Sequence, residues 1–255
     1  MKLLAFDTGT ERMSMAVART VNGQTHIWQH EALGGGQAST ALIPGILELL
    51  QQADLSLASL DAICFGAGPG SFTGLRTACS VAQGLAFGAN VLVLPMDSLL
   101  ATAQEARLCD PALAQSGVLT ALLDARMNEL YAATYTFEGD HWTMVQDSCL
   151  VRPEALGDHL QVLQKAMGNP QHWSVAGNVF VEYATPLRGV VGAGTPYACI
   201  PAIPTARALL RLAPAALAQG HAVDAALALP RYVRDKVAQT TQERVAAKAT
   251  LTQGA

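Results

Sequence analysis

Charge is scarce in this 255-residue chain: Asp, Glu, Lys and Arg make up 14% of it, while 51% is hydrophobic. So little charge excludes a disordered, solvating role and predicts a well-buried globular protein. At this length, two lobes of roughly 100 residues each are expected. Long apolar runs are also missing. None approaches the ~20 residues of a bilayer-crossing helix, and the opening MKLLAF meets Asp7 too soon to form a secretory signal core. A cytoplasmic protein without membrane association is expected. Paired Cys-x-x-Cys spacing is absent. The five cysteines (Cys64, Cys79, Cys109, Cys149, Cys199) are odd in number, widely spaced and set among apolar residues. That pattern predicts buried free thiols rather than disulfides or a zinc site. A broad basic patch is lacking too, since the net charge is −4, which argues against autonomous nucleic-acid binding. From residue 229 on, however, five basic residues (Arg231, Arg234, Lys236, Arg244, Lys248) face only Asp235 and Glu243, so this end carries +3 and the rest −7. Two readings stand: a solvated tail, or a contact arm for RNA or a protein partner.

The most distinctive stretch present is DAICFGAGPGSFTGLRTACSVAQGLAFG, residues 61–88. Its apolar start, Ala62 to Ala67, predicts a buried strand, and a small-residue helix follows from about Phe72 to Phe87. Between them, Gly66, Gly68, Gly70 and Gly74 with Pro69 place four glycines and a proline in nine residues. Such glycines allow positive φ or close backbone approach, and the proline fixes the turn. A strand feeding a glycine-rich turn into a helix N-terminus presents free N–H groups to an anion. Whether this loop cradles phosphate or is only architecture is the question the sequence poses.

The rest of the first half predicts strands at 2–7, 12–19 and 24–32, then a helix at about Pro44–Ala53, with Pro44 limiting how early it starts. A strand at Val91–Leu94 and a helix at about Ser98–Leu108 complete it. The second half starts again. Thr120–Arg126 matches Leu3–Gly9 as an apolar strand ending in an acid (Asp124, Asp7), and strands at 130–136 and 141–151 follow as before. Trp173–Gly177 then leads into a Gly-containing turn. Pro170, Pro186, Pro196, Pro201 and Pro204 break up the helical regions of this copy, before a helix near Thr205–Gln219 and an extended Leu229–Val233. The expected fold is therefore α/β, two βββαβα-type lobes of the actin-like/Hsp70-like ATPase superfold with the second copy degenerate. The lobes are placed at 1–108 and 109–228, with a basic segment at 229–255.

Asp7-Thr8-Gly9-Thr10 resembles the first phosphate loop of that superfold, although strand-Asp-turn is also ordinary hairpin chemistry. With Gly68 and Gly70 it makes up a vestigial nucleotide-site candidate. Asp124-Ala125-Arg126 lacks the glycine, and Arg126 is free to pair with Asp124 or Glu129. The Gly68–Gly74 loop is not a Walker A motif, a dinucleotide fingerprint or a nucleophile elbow: the Lys is missing, the third glycine falls one residue late, and Ser71 follows Gly70 directly. His26 and His30 lie four apart in a strand, ~13 Å from one another, too far for one metal. No Ser/His/Asp or Cys/His set stands out, so no catalytic residue and no metal site are nominated.

Both first-half helices are apolar nearly all round. The first carries Leu42, Ile46, Leu49 and Leu50 on one face and Ile43 and Leu47 on another; the second carries Phe72, Leu75, Cys79, Val81, Ala82, Leu85 and Ala86. Such helices are buried on more than one side, by the second lobe or by another chain. For another chain, the expected contacts are Leu42, Ile46 and Leu49 with Phe72, Leu75, Cys79, Ala82, Leu85 and Ala86.

The run from Gly66 to Arg76 (GAGPGSFTGLR), continuing to Gln83-Gly84-Leu85-Ala86, resembles the signature of the TsaB (YeaZ) family. Supporting matches are LLAFDTGTERMSMAV near the start, Leu123–Met127 with Glu129 and Tyr131, and Pro230–Arg234. This resemblance implies a non-catalytic subunit of the bacterial machinery that makes N6-threonylcarbamoyladenosine at position 37 of ANN-decoding tRNAs. It implies docking to the catalytic paralogue TsaD (Kae1-like) through N-terminal-lobe helices, recruitment of the ATPase TsaE, and homodimers through the same surface. It further implies that no cofactor is required, that tRNA is met only through the complex, and that ATP or ADP makes at most a weak contact there. The catalytic paralogue holds its metal with a His-x3-His pair; the matching positions here are Ser98 and Thr102. The competing reading is a free-standing ATP-dependent phosphotransferase of the same superfold. The old peptidase label lacks both metal ligands and a nucleophile set.

Overall fold

A computed structural model describes residues 1–234 except 114, 169, 171 and 193. In the first lobe, β1 (Lys2–Asp7), β2 (Arg12–Val21) and β3 (Gln24–Leu33) form an antiparallel meander. Next come α1 (Ala38–Gln52), β4 (Ala62–Gly68), α2 (Phe72–Ala89), β5 (Leu92–Asp97) and α3 (Ser98–Cys109). The five strands lie in the order β3-β2-β1-β4-β5, with β4 parallel to β1 and to β5. The second lobe repeats the plan with β6 (Ser116–Asp124), β7 (Leu130–Glu138), β8 (His141–Val151), α4 (Leu156–Ala166), β9 (Trp173–Gly177), β10 (Ala198–Pro201) and α5 (Ala206–Ala218). Its sheet order, β8-β7-β6-β9-β10, copies the first strand for strand and sense for sense. The duplication read from Asp7 and Asp124 is real. The eroded position is the counterpart of α2: between β9 and β10 the chain runs through turns over 180–190.

Alternation along each strand sorts the core into layers. One face of the first sheet (Leu4, Phe6, Met13, Met15, Val17, Ile63, Phe65) is covered by α1 and α2. The opposite face (Leu3, Ala5, Ala16, Cys64, Leu94) takes α5. Helix α3 is shared, giving Ala101 to that layer and Leu99, Ala103 and Ala106 to the near face of the second sheet. Helix α4 closes the far side through Leu156 and Leu160. The boundary placed at 109–228 therefore departs from the packing. Helix α5 returns to the first sheet, where Ser14 Oγ accepts the Ala206 N–H at 2.9 Å, and Val223 pairs with Val93.

Helix α1 starts six residues earlier than Pro44 implied. The proline withholds one N–H from the ladder, yet Ala38 and Leu42 are buried against the sheet on its N-terminal side. Tertiary burial outweighs the local cost, and Pro214 inside α5 is tolerated likewise, beside buried Leu209, Leu210 and Ala213. Of the thiols expected to be buried, Cys64 and Cys79 are, Cys149 and Cys199 are half-buried, and Cys109 is exposed at the end of α3. Among the described residues no helix is long and apolar enough to cross a membrane.

Candidate functional site

Asp124 lines a cleft of about 570 Å³ between the lobes, and Asp7 lies beneath its opposite wall. Its first wall is the loop after β1. Asp7 lies 1% exposed beneath this loop, accepting the Gly9 N–H at 2.7 Å and the Ser98 hydroxyl at 2.9 Å. Burial, partly offset by those two bonds, raises its pKa from an ordinary 3.8 to about 6. The carboxylate points into the protein: a Cβ added at Gly66 would stand 1.7 Å from its Oδ2. Thr8, also buried, donates to the Gly74 carbonyl at 2.7 Å, and Thr10 Oγ1 donates to the Arg12 carbonyl within its own turn.

The glycine-rich loop closes on this wall. Ser71 N–H donates to the Gly9 carbonyl at 2.7 Å. Added Cβ atoms at Gly70 and Gly74 would meet Gly9 O at 2.7 Å and Thr8 O at 1.9 Å. Backbone here approaches backbone so closely that only glycine fits. Of the six vestigial-site candidates, Gly9, Thr10 and Gly70 line the cleft. Asp7 and Thr8 lie under it, and Gly68 packs against the Arg231 carbonyl. The N–H groups of Gly9 and Ser71 are spent on the protein itself.

The opposite wall is the loop after β6. Asp124 accepts from the Tyr183 hydroxyl at 2.8 Å and from the Arg126 N–H at 2.8 Å. Arg126, Met127 and Asn128 all take positive φ, an unfavourable run for residues with a Cβ. Arg126 pairs with Asp124 at 3.2 Å and reaches across to Glu11 at 2.6 Å, so the lobes are tied at the cleft mouth. The alternative partner for Arg126, Glu129, is taken instead by Arg234.

The segment after Leu229 enters this cleft. Arg231, Tyr232, Val233 and Arg234 line it, and both arginines are engaged, with Asp97 and Asp147 or with Glu129. For these two basic residues, neither a solvated tail nor a free contact arm is what the structure shows. Asp235, Lys236, Glu243, Arg244 and Lys248 lie outside the described residues. This segment is the feature that sequence reasoning missed as part of a site. Its signal was there, in a Pro-Arg-Tyr-Val-Arg run that interleaves charge with an aromatic.

The docking candidates sort by exposure. Leu42, Ile46, Leu49, Leu75, Cys79, Ala82 and Ala86 are buried in this chain's own core, so they are corrected from contact residues to structural ones. Helix periodicity gave α1 two apolar faces, and the sheet took the first. The second side of α2 is covered by the returning chain: Ala228 O accepts from Cys79 Sγ at 3.3 Å and Gln83 Nε2 at 2.9 Å. Phe72 and Leu85 remain half-buried. The outer stripe holds Thr73, Arg76, Ser80, Gly84 and Phe87, the last 84% exposed; on α1 it holds Ile43 and Leu47. A shallow groove runs where Ser39 of α1 meets Phe72, Thr77, Ser80 and Val81 of α2. Ser98 and Thr102 are buried and hydrogen-bonded, to Asp7 and to the Ser98 carbonyl. Among the described residues no cluster of three His, Cys, Asp or Glu side chains could hold a metal.

Two five-stranded α/β lobes of one topology, with a strand-end acid in each and a cleft between them, are the duplicated plan expected from the sequence. A family model described as TsaD, tRNA N6-adenosine threonylcarbamoyltransferase, matches residues 34–250. Among full-length relatives, the tRNA threonylcarbamoyladenosine biosynthesis protein TsaB of Haemophilus influenzae is 34% identical, over 92% of this chain and 94% of its own length. The Escherichia coli protein of the same name is 31% identical, over 93% and 96%. The solved YeaZ from Pseudomonas aeruginosa superposes with a TM-score of 0.72 at 30% identity, covering 91% of this chain and 99% of that one. The chain belongs to the TsaB (YeaZ) family.

Proposed function

We propose that this chain is a non-catalytic subunit of the machinery that makes threonylcarbamoyladenosine in tRNA, docking the catalytic TsaD subunit through the outer faces of α1 and α2. Family membership supports the pathway. The observation that carries the docking role is the outer stripe itself: Ile43, Leu47 and Phe87 stand 40%, 51% and 84% exposed on two helices of one layer. Beside Phe87 on α2, Gly84 and Gly88 would have nothing within 4 Å of an added Cβ, so another helix has room to approach closely. The same face serves homodimers of the free protein, TsaE joins the heterodimer, and tRNA is met only through the complex in the cytoplasm.

The lack of catalysis is supported by what the cleft does with its own groups. Asp7 is turned inward, Asp124 is held by Arg126 and Tyr183, and the segment Arg231–Arg234 forms part of the cleft wall. No cofactor is required on this reading, and ATP or ADP makes only a weak contact in the complex. The phosphotransferase alternative draws its one support from the size of the cleft, and calorimetry with ATP separates them: sub-micromolar binding by the isolated chain would favour the alternative. The docking test replaces Leu47 and Phe87 by Glu. The expected outcome is a native circular-dichroism spectrum with partner affinity lowered by about 30-fold or more, the size of an interface hot spot. Unchanged co-purification with TsaD would refute docking through this face.

A further inference from the structure

The segment from Leu229 to Arg234 touches both lobes and the root of α2 at once. Arg231 donates its backbone N–H to the Ala67 carbonyl of β4 at 2.7 Å. Its guanidinium spans Asp97 at 3.3 Å, the acid that caps α3, and Asp147 of β8 at 2.5 Å. Asp97 is largely buried and Asp147 mostly exposed, so one arginine joins an interior acid of the first lobe to a surface acid of the second. Arg234, only 13% exposed at its side chain, is held in the second lobe by Glu129, the Met127 sulfur at 2.9 Å and the Arg126 carbonyl at 3.4 Å. Between these anchors, Tyr232 lays its ring 5.3 Å from that of Phe72. Its hydroxyl accepts from Arg76 Nε at 3.2 Å, and the Arg76 guanidinium covers the Phe72 ring at 3.8 Å. Phe72 is common to two hollows: it lines the interlobe cleft, and it lines the outer groove with Ser39, Thr77 and Ser80.

We propose that this segment is a lock through which the second lobe holds the first turns of α2, with Tyr232 as the positioning residue and Phe72 as the pin between cleft and outer groove. The tie runs through the ring of Tyr232, beside the separate Arg126–Glu11 link at the cleft mouth. Contacts made by Arg231 and Arg234 on the second lobe fix where Tyr232 stands, and Tyr232 fixes Phe72 and Arg76. Ion pairs of exposed groups contribute little singly. The Arg234–Glu129 pair, shielded and backed by the Arg126 carbonyl, is therefore the main anchor, with Arg231–Asp147 second. A change in the lobe angle would move the strap and release Phe72, altering the turn at which the outer face of α2 begins. The bearing of the lock on partner binding rests on the docking reading above; the lock itself does not.

The test uses the full chain with Glu129→Gln and Asp147→Asn combined, both in the second lobe and neither in contact with α2. Hydrogen exchange is followed at Leu75, Arg76 and Thr77, where the Leu75 N–H closes the first turn onto Ser71 O at 2.8 Å. The expected result is exchange there accelerated by about five-fold or more, as local opening becomes easier, with α4 and the second sheet unchanged. Tyr232→Ala should reproduce it, and Tyr232→Phe, which keeps the ring contact and loses the acceptor, should give a smaller effect. Exchange altered only around residues 126–129 and 147, with α2 as in the parent, would overturn the proposal. Faster exchange in α2 with unchanged affinity for TsaD would uphold the lock and count against docking through the first turns of α2.

Discussion

The two lobes share one topology and differ most at the link from the fourth strand of each sheet to the fifth. In both, a glycine at or near the end of the fourth strand packs against the first strand of its sheet: Cβ atoms at Gly66 and Gly177 would lie 1.7 Å from Asp7 Oδ2 and 2.2 Å from Leu122 O. Beyond that the copies part. The first continues through Gly68, Gly70 and Gly74 into an 18-residue helix, sealed onto the loop after β1 by Ser71 N–H and Thr8 Oγ1. The second runs through turns, and its loop after β6 is held by side chains, Tyr183 and Asn178. The comparison separates the two jobs of a phosphate-loop outline. The glycines serve close packing inside the first lobe, and the helix they start supplies an outer surface that the second lobe lacks.

The largest expected effect tests whether the glycines are structural. Gly74→Ala would place a methyl 1.9 Å from the Thr8 carbonyl, backbone against backbone with no flexible side chain to give way. A loss of about 3 kcal/mol or more is expected in chemical denaturation, at the upper end of overpacking costs. A glycine in the turns that replace this helix in the second lobe gives the contrast: Gly189→Ala meets no atom within 4 Å and costs only the strain of its φ of +80°, about 1 kcal/mol. Equal losses at the two sites would break the contrast between a packed loop and a mere turn.

Asp7 gives an intermediate effect with a defined pH window. The unfolded chain ionises this carboxyl near 3.8 and the folded chain near 6, so between those values the folded state holds the extra proton. Stability contributed by this group therefore falls as pH rises from about 4 to about 6, and the penalty is complete above that, amounting to about 3 kcal/mol. Asp7→Asn removes the slope. Urea midpoints for the variant and the parent should coincide near pH 4 and separate in favour of the variant by pH 7.5. A difference between variant and parent that fails to open across this window would mean that Asp7 is compensated by a charge outside the contacts described.

Much of this was legible from local pattern. The duplication showed because strands ending in Asp7 and Asp124 carry their period in sequence, and the erosion of the second copy showed in its prolines. What failed was what depends on distant partners. Helix α1 has two apolar faces, Leu42/Ile46/Leu49 and Ile43/Leu47, and periodicity cannot say which meets the sheet. The docking set was accordingly drawn from the buried face. Pro44 looked like a start signal because the burial of Ala38 and Leu42 against the first sheet is a tertiary fact. Arg231 lies 134 residues from Asp97 and 84 from Asp147, separations over which no local rule pairs charges. The family signature supplied the identity because it records a sequence solution and not a contact map.

The smallest stability effect bears most directly on the outer surface. Gly84 sits in the interior of α2, on the exposed stripe, with no atom within 4 Å of an added Cβ. Among the described residues nothing requires glycine there, and a mid-helix glycine costs about 1 kcal/mol relative to alanine. Gly84→Ala should therefore stabilise the isolated protein by about that amount and raise its thermal midpoint by a few degrees. If α2 packs closely on a partner helix, the same methyl stands where the second backbone must come and affinity for TsaD falls while stability rises. These two changes of opposite sign are the signature of a glycine kept for an interface. The second lobe runs through turns over 180–190 at the matching position, so among its described residues none offers this pair of changes. A Gly84→Ala protein that is more stable and binds TsaD as tightly as the parent would move the docking surface off the glycine stripe, leaving α1 with Ile43 and Leu47 to carry it.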